Sequence, residues 1–174
     1  MNTVEPIRDA GTVQDIADYL MWMFGVYTAF RISDILRFRV RDVKNKRSIK
    51  LREKKTGNER KFIINKRLYR AIEHYIQDKP DYEYLFKSRQ GENKPISRQQ
   101  AYNIIREAAG KFGVEHVGTH TMRKTFGYHV YQKTKDAAML MKIYNHSDIH
   151  ITLRYIGIEQ DYIDDTMAAF DIMY

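Results

Sequence analysis

The chain has 174 residues, no cysteine, and 30 Lys and Arg residues against 22 Asp and Glu residues, a net charge of +8. This length fits one domain with its own hydrophobic core. The lack of cysteine excludes a disulfide framework, a thiolate metal site and a cysteine nucleophile. The positive charge favours a polyanionic partner, with nucleic acid as the first candidate and an acidic lipid surface as the second.

The first half of the chain predicts three helices and a β-hairpin. Apolar residues at helical spacing predict a helix from residue 12 to about 25, and a short helix is expected over 31–38. Alternating apolar residues over 48–53 and 60–64, with a Thr-Gly-Asn turn between them, predict the hairpin. Asn65 is expected to cap a third helix, which ends before Pro80.

The second half of the chain predicts a polar loop over residues 87–97 and then helices only. Ser97 is expected to cap the first of them, whose apolar side carries Ala101, Ile104, Ile105, Ala108, Ala109 and Phe112. Further helices are predicted over 121–133, 136–144, 148–156 and 160–171. The predicted fold class is α+β, mostly helical with one small antiparallel sheet.

No targeting or membrane-spanning segment is predicted. The first ten residues contain Glu5, Arg8 and Asp9 and lack the apolar stretch of a signal peptide. The longest apolar-rich run, residues 19–30, is shorter than the roughly 20 residues that a membrane-spanning helix needs, so it predicts a buried helix. We therefore expect a cytoplasmic protein.

Four short stretches contain the residue types that stabilise and attack a phosphate ester. They hold Arg31 in TAFRISDIL, Lys55 in KKTGNERKF, His120 and Arg123 in HTMR, and His146 with Tyr155 in NHSDIHITLRY. Each stretch is a weak signal by itself, and any one tyrosine among 13 carries little weight. Arginine can grip two phosphate oxygens at once, and residues three apart share one face of a helix, as His120 and Arg123 would.

In their order and spacing, these stretches resemble the catalytic domain of the tyrosine site-specific recombinases, the phage integrase family. That family places a hydroxyl residue and an acid after its first arginine, as in RISD at 31–34, and then a hairpin lysine, as in KTG at 55–57. A His-x-x-Arg box follows, matched by HTMR at 120–123. A histidine nine residues before the tyrosine of an Arg-Tyr pair closes the pattern, matched by His146 and Tyr155. The resemblance covers roughly residues 6–158.

Two stretches depart from the family pattern. TAF at 28–30 stands where Thr-Gly-Leu is usual, and Tyr144-Asn145 stands where Leu-Gly is usual. Asn tolerates the left-handed backbone that glycine would supply, so the second change is mild in that respect. Lys54, beside Lys55, stays an alternative for the hairpin lysine.

The resemblance implies site-specific DNA recombination through a 3′-phosphotyrosine intermediate, without metal, ATP or another cofactor. Tyr155 would be the nucleophile, His120 the candidate base, and Lys55 the acid that protonates the departing 5′-hydroxyl. Arg31, Arg123 and His146 would stabilise the five-coordinate phosphorane. The carboxylate of Asp34 would orient the side chain of either Arg31 or His120.

The resemblance also implies contacts with double-stranded DNA. The polar face of the helix after Ser97 is either a plain solvated surface or a surface that reads base edges in the major groove, through Arg98, Gln99 and Asn103. Near the hairpin, Arg60 and Lys61 would contact phosphates. We expect a protein of bacterial, archaeal or phage origin, associated with the nucleoid and encoded by a mobile element or phage.

Assembly on DNA is the second implication. The family recombines DNA as a tetramer and usually carries an N-terminal core-binding domain, whereas this chain begins almost at the catalytic domain and is expected to be either a natural minimal member or an excised domain. A separate core-binding protein would then be a possible partner. The acidic stretch 159–174 carries the apolar stripe Ile163, Met167, Phe170 and Tyr174, which would pack on its own domain or on a neighbouring subunit.

Three other functions are compatible with parts of this pattern. The first is a DNA-binding or assembly factor of the same fold with little catalytic activity, although no catalytic box is lost. The second is a type IB topoisomerase, which shares the catalytic set and relaxes supercoils. The third is a membrane-surface protein, which is disfavoured because Trp22 lies in an apolar core-like run rather than opposite a basic helix face.

Overall fold

The computed structural model describes residues 13–52, 57, 59–110, 113, 117–118 and 120–170. In this part of the chain the helices are α1 Val13–Thr28, α2 Ile32–Ile35, α3 Val40–Val43, α4 Lys66–Ile76, α5 Arg98–Gly110, α6 Thr121–Thr134, α7 Ala137–Tyr144, α8 Ile149–Ile156 and α9 Ile158–Ala169. Strands β1 (Ser48–Arg52) and β2 (Glu59–Ile63) form an antiparallel hairpin, with Ser48 opposite Ile63. The predicted α+β class, mostly helical with a small sheet, is confirmed.

A main core surrounds α1, which packs against α4 and α6. The main core contains buried side chains of α1 to α5 and of the hairpin, together with Met122 of α6. Gly25 of α1 allows α6 to come close, because a Cβ atom at Gly25 would lie 2.5 Å from Cβ and Sδ of Met122. This contact fixes the start of α6 against α1.

A smaller, C-terminal cluster lies apart from the main core. Its buried members are Ala29, Leu140, Tyr144 and Ile156. Ala29 directly follows α1, Leu140 and Tyr144 belong to α7, and Ile156 belongs to α8. The C-terminal cluster therefore joins the end of α1 to the two helices that flank His146.

Several predicted details of the helices are confirmed. The Asn65 side chain accepts a hydrogen bond from the Leu68 backbone N–H at 2.9 Å, and the Ser97 hydroxyl accepts one from the Gln100 backbone N–H at 3.1 Å. Asn145 ends α7 with φ 57° and ψ 45°, the left-handed backbone that its replacement of glycine implied. These local caps follow from side chains that can accept a hydrogen bond from an exposed backbone N–H.

Other boundaries and burial assignments differ from the prediction. Helix α1 continues to Thr28, and the Ala29 backbone N–H still donates to Gly25 at 3.2 Å before Ala29 turns left-handed with φ 56°. The helix expected over 31–38 has helical residues only at Ile32–Ile35. On α5, Ala108 is exposed rather than part of the apolar side, and Phe112 lies outside the described residues.

The acidic helix α9 leaves its apolar stripe exposed. Ile163, Met167 and Phe170 are 48%, 67% and 65% exposed, while Tyr174 lies outside the described residues. The sequence left two interpretations of this stripe, packing on its own domain or on a neighbouring subunit. These three side chains do not pack on their own domain. None of the helices that the structure describes is long and apolar enough to cross a membrane.

Candidate active site

The site is built around the first turn of α6, which begins directly after His120. His120 is exposed, and Arg123, one helical turn later, is only 4% exposed. The Nδ1 atom of His120 lies 3.4 Å from the Tyr155 hydroxyl oxygen, a long hydrogen-bond distance. The three-residue spacing thus places both side chains on one face at the start of α6, as predicted.

Arg123 is held by two backbone carbonyls from different parts of the chain. One terminal nitrogen donates to the carbonyl oxygen of Ala29, and the other donates to the carbonyl oxygen of Tyr144 at 3.3 Å. Its guanidinium carbon also lies 4.5 Å from the centre of the Tyr144 ring. A buried cation needs such partners, and these contacts fix the direction in which the guanidinium points.

Arg31 enters the site from the segment between α1 and α2. It is partly buried, with extended backbone at the N-terminus of α2. Burial raises the pKa of Tyr155 and lowers the pKa of His146, and the charge of Arg31 is one of the smaller contributions at both side chains, so its electrostatic field reaches them. Asp34 is 1% exposed, and its carboxylate lies 3.7 Å from Arg37. Its orientation of Arg31 or His120 stays a prediction.

Three aromatic rings meet beside Arg123. The ring centres of His146 and Tyr155 are 5.3 Å apart, and the Tyr144 ring lies 5.4 Å from His146 and 5.2 Å from Tyr155. Asn145 makes this meeting possible, because its left-handed backbone turns the chain between Tyr144 and His146. Asp148 then starts α8 by accepting a hydrogen bond from the His150 backbone N–H at 2.6 Å.

His146 has a hydrogen-bond partner that the sequence analysis missed. Its Nδ1 atom lies 3.0 Å from the hydroxyl of Thr152, which is fully buried on α8. Thr152 lies three residues before Tyr155, so a helix beginning near residue 149 puts both on one face. That spacing is the signal by which Thr152 could have been found.

The electrostatic environment keeps Tyr155 protonated and His146 neutral at neutral pH. Burial raises the pKa of Tyr155, against the lowering effects of the Arg123 charge, an Arg123 hydrogen bond and the Arg31 charge. Burial, and then the charges of Arg123 and Arg31, lower the pKa of His146. A further cation, the ammonium of Lys124, lies 5.7 Å from the centre of the Tyr155 ring. The protonated phenol of Tyr155 thus lies with its oxygen 3.4 Å from His120 Nδ1.

The other predicted residues lie on the hairpin and on α5. Lys54 and Lys55 lie outside the described residues. Arg60 of β2 is partly buried and donates to the carbonyl oxygen of Lys142 on α7 at 3.4 Å, whereas Lys61 is exposed. On α5, Arg98, Gln99 and Asn103 are all exposed, and the Gln99 amide donates to the Asn103 side-chain oxygen at 3.0 Å. The site thus unites Arg31, His120, Arg123, His146 and Tyr155.

Comparison with known proteins gives related sequences and a similar fold. The chain is 48% identical over 181 residues to a probable integrase/recombinase, YoeC, of Bacillus subtilis, with 99% of this chain and 98% of YoeC covered. It is 28% identical over 146 residues to the type 1 fimbriae regulatory protein FimE of Escherichia coli, with 79% of this chain and 73% of FimE covered.

A solved structure shows the same fold in a longer protein. The crystal structure of the XerH site-specific recombinase bound to palindromic difH substrate superposes with a TM-score of 0.69 at 16% identity. The match covers 92% of this chain and 48% of XerH, so this chain spans about half the length of that recombinase. The profile of the phage integrase family matches residues 2–161. With that match and the shared fold, the chain belongs to the phage integrase family of tyrosine recombinases.

Proposed function

We propose that this chain carries out site-specific recombination of double-stranded DNA, integrating or excising a mobile element or phage by cleaving and rejoining strands through Tyr155. The observation that carries the proposal is the Tyr155 hydroxyl, 3.4 Å from His120 Nδ1 and within the electrostatic influence of Arg123 and Arg31. A phenol surrounded by a base and two cations is suited to attack a phosphodiester, whose negative charge grows in the transition state.

The cleavage step conserves the number of phosphoester bonds. The Tyr155 oxygen attacks the scissile phosphorus and its proton passes to His120, while the bond from phosphorus to the 5′ oxygen breaks. Lys55 protonates that oxygen, leaving a 5′-hydroxyl and a 3′-phosphotyrosine. In the rejoining step, a 5′-hydroxyl gives its proton to Lys55 and attacks the phosphotyrosine, while the bond from phosphorus to the Tyr155 oxygen breaks. His120 returns its proton to that oxygen, so rejoining requires no ATP.

Arg31 and Arg123 are assigned to the non-bridging oxygens of the phosphorane. Both side chains carry a permanent charge and several donors in a fixed plane, which suits a phosphate that gains charge. In this proposal they take the part that divalent metal ions have in other phosphoryl-transfer enzymes, so the reaction proceeds without a metal cofactor.

His146 is assigned as a further donor to the phosphate, with its proton placed by Thr152. The Thr152 hydroxyl has one proton, which it can donate either to His146 Nδ1, 3.0 Å away, or to the carbonyl oxygen of Asp148 at 3.4 Å. We assign this proton to the shorter contact, which leaves the single proton of the neutral imidazole on Nε2. The lowered pKa of His146 agrees with this neutral form. The Nε2 proton is then directed away from Thr152 and can be donated to a phosphate oxygen.

Thr152→Val is expected to slow DNA cleavage about tenfold, because valine keeps the shape of threonine and removes the hydroxyl that selects the His146 tautomer. Single-turnover rates of covalent DNA–protein adduct formation measure this effect. Thr152→Ser keeps the hydroxyl and serves as the control, with a rate close to that of the unchanged protein. A Thr152→Val protein that cleaves at the unchanged rate would show that the hydroxyl does not select the tautomer.

DNA contacts are assigned to α5 and to the hairpin. The exposed Arg98, Gln99 and Asn103 would read base edges, and the exposed Lys61 would contact a phosphate. Arg60 already donates a hydrogen bond to the carbonyl oxygen of Lys142 on α7, so it would contact a phosphate while keeping that hydrogen bond. The net charge of +8 and the DNA-bound XerH structure support a DNA partner.

The exposed apolar stripe of α9 is assigned to a contact between subunits. It would dock on a neighbouring subunit in a tetramer on DNA.

Covalent trapping tests the proposed function. The protein is incubated with nicked duplexes taken from the ends and flanks of the DNA element that encodes it, and the products are separated on a denaturing gel. We expect a DNA–protein adduct that Tyr155→Phe abolishes and that Tyr82→Phe, a change at a tyrosine 61% exposed before α5, leaves intact.

Three outcomes would contradict this assignment. An adduct that survives Tyr155→Phe would exclude Tyr155 as the nucleophile. DNA retained on a native gel without any adduct would favour a DNA-binding factor with little activity or a requirement for a core-binding domain, and fusing such a domain to residue 1 separates these two. Relaxation of a supercoiled plasmid with no recombinant product would favour a type IB topoisomerase-like reaction.

A further inference from the structure

We propose that Tyr144 is a positioning residue, which fixes the guanidinium of Arg123 and the ring of Tyr155 relative to one another. This inference rests on the function proposed above, in which Arg123 binds the phosphate and Tyr155 attacks it. Tyr144 is 1% exposed, so the proposed role acts through its contacts with these neighbours and not through contact with DNA.

Tyr144 and Arg123 hold each other by two reciprocal hydrogen bonds and a ring contact. The Tyr144 hydroxyl donates to the carbonyl oxygen of Arg123 at 2.7 Å, and the Arg123 guanidinium donates to the carbonyl oxygen of Tyr144 at 3.3 Å. The guanidinium carbon lies 4.5 Å from the centre of the Tyr144 ring. The side chain of each residue is therefore bonded to the backbone of the other. The Arg123 guanidinium also lies over the face of an aromatic ring, which attracts a cation.

The same ring also contacts the proposed nucleophile. Tyr155 meets Tyr144 nearly edge-on, with ring centres 5.2 Å apart and planes inclined by 68°. This arrangement is one of the preferred geometries for aromatic pairs. A leucine, the residue usual at this place in the family, would offer neither the ring surface to the cation nor the edge contact to Tyr155. Tyr144 therefore supplies a link between these two groups that the usual leucine would lack.

Gly127 of α6 provides the space that Tyr144 occupies. A Cβ atom at this position would overlap the Tyr144 hydroxyl and would lie 3.0 Å from its Cε2 atom. The hydroxyl can reach the Arg123 carbonyl, one turn earlier on α6, only because residue 127 has no side chain. Gly127 therefore leaves room for the Tyr144 hydroxyl as well as for its ring.

The inference is tested with Tyr144→Leu and Tyr144→Phe, and with Tyr82→Phe as the control. Two quantities are measured: the single-turnover rate of adduct formation on the nicked duplexes, and the NMR shifts of the Arg123 side-chain protons without DNA. An aromatic ring moves the resonances of protons above its face upfield. The NMR measurement therefore reports the position of Arg123 whether or not the protein cleaves DNA.

We expect Tyr144→Leu to slow adduct formation about tenfold, with DNA retention unchanged and the upfield shifts of Arg123 lost. Tyr144→Phe keeps the ring and should restore both the shifts and most of the rate. An Arg123 that keeps its shifts in folded Tyr144→Leu would overturn the inference, as would an unchanged rate. If the unchanged protein forms no adduct, the proposed function fails and the NMR shifts alone decide the role of Tyr144.

Discussion

Arg123→Ala is expected to slow formation of the covalent DNA adduct by a factor of about 10³, the largest effect we expect from any residue other than the nucleophile. Arg123 is 4% exposed and fixed by the carbonyl oxygens of Ala29 and Tyr144, so its guanidinium is already oriented before DNA binds. A donor oriented in advance in a site with little water stabilises developing charge most strongly. Single-turnover assays on nicked duplexes measure the loss.

The same substitution is expected to lower the free energy of unfolding by about 2–4 kcal/mol. It leaves the carbonyl oxygens of Ala29 and Tyr144 without the donors that now satisfy them, and each such group costs about 1–3 kcal/mol when buried. Arg123→Lys separates the two effects, because it keeps the charge and loses the planar pair of donors. A lysine variant with the unchanged rate would show that charge alone suffices.

Gly127→Ala is expected to lower the free energy of unfolding by about 2–3 kcal/mol, although alanine forms helices better than glycine by about 1 kcal/mol. The added Cβ atom would overlap the Tyr144 hydroxyl and lie 2.6 Å from Cγ2 of Ile156. Because Tyr144 contacts Arg123 and Tyr155, the shift that relieves this overlap should also slow adduct formation. Urea unfolding, followed by circular dichroism, gives the change in stability.

Gly110→Ala is the matched control for this substitution. Gly110 is the exposed last residue of α5, and no heavy atom of the described residues lies within 4 Å of the place its Cβ would take, apart from its immediate neighbours. Alanine there should leave the stability unchanged or raise it by up to about 1 kcal/mol. If Gly127→Ala lowers the free energy of unfolding no more than Gly110→Ala does, Tyr144 does not pack against α6 as closely as described.

The sequence predicts best what depends on neighbouring residues. The caps at Asn65 and Ser97 need only a side-chain oxygen near an exposed backbone N–H, and the shared face of His120 and Arg123 needs only helical spacing. The left-handed backbone at Asn145 likewise follows from the residue type and its place before His146. Local geometry determines each of these features.

Features that depend on distant partners could not be predicted in this way. The carbonyl oxygen of Ala29 meets Arg123 across 94 positions of the chain, and no local pattern marks it as a ligand. The sequence marks Tyr144 only as a departure from the family pattern. It does not predict the contacts with Arg123 and Tyr155 from which its role is inferred. The hairpin lysine stays a prediction.

The separation of the two hydrophobic clusters has a consequence for how the site can open. Arg31 lies beside the main core, whereas the nucleophile stands on α8, whose buried support is the much smaller C-terminal cluster. Segments with fewer buried apolar contacts open locally at a smaller free energy than the whole domain. Helices α7 and α8 therefore depend on fewer buried apolar side chains than α1 does, and a local opening of these helices would move Tyr144 and Tyr155 together.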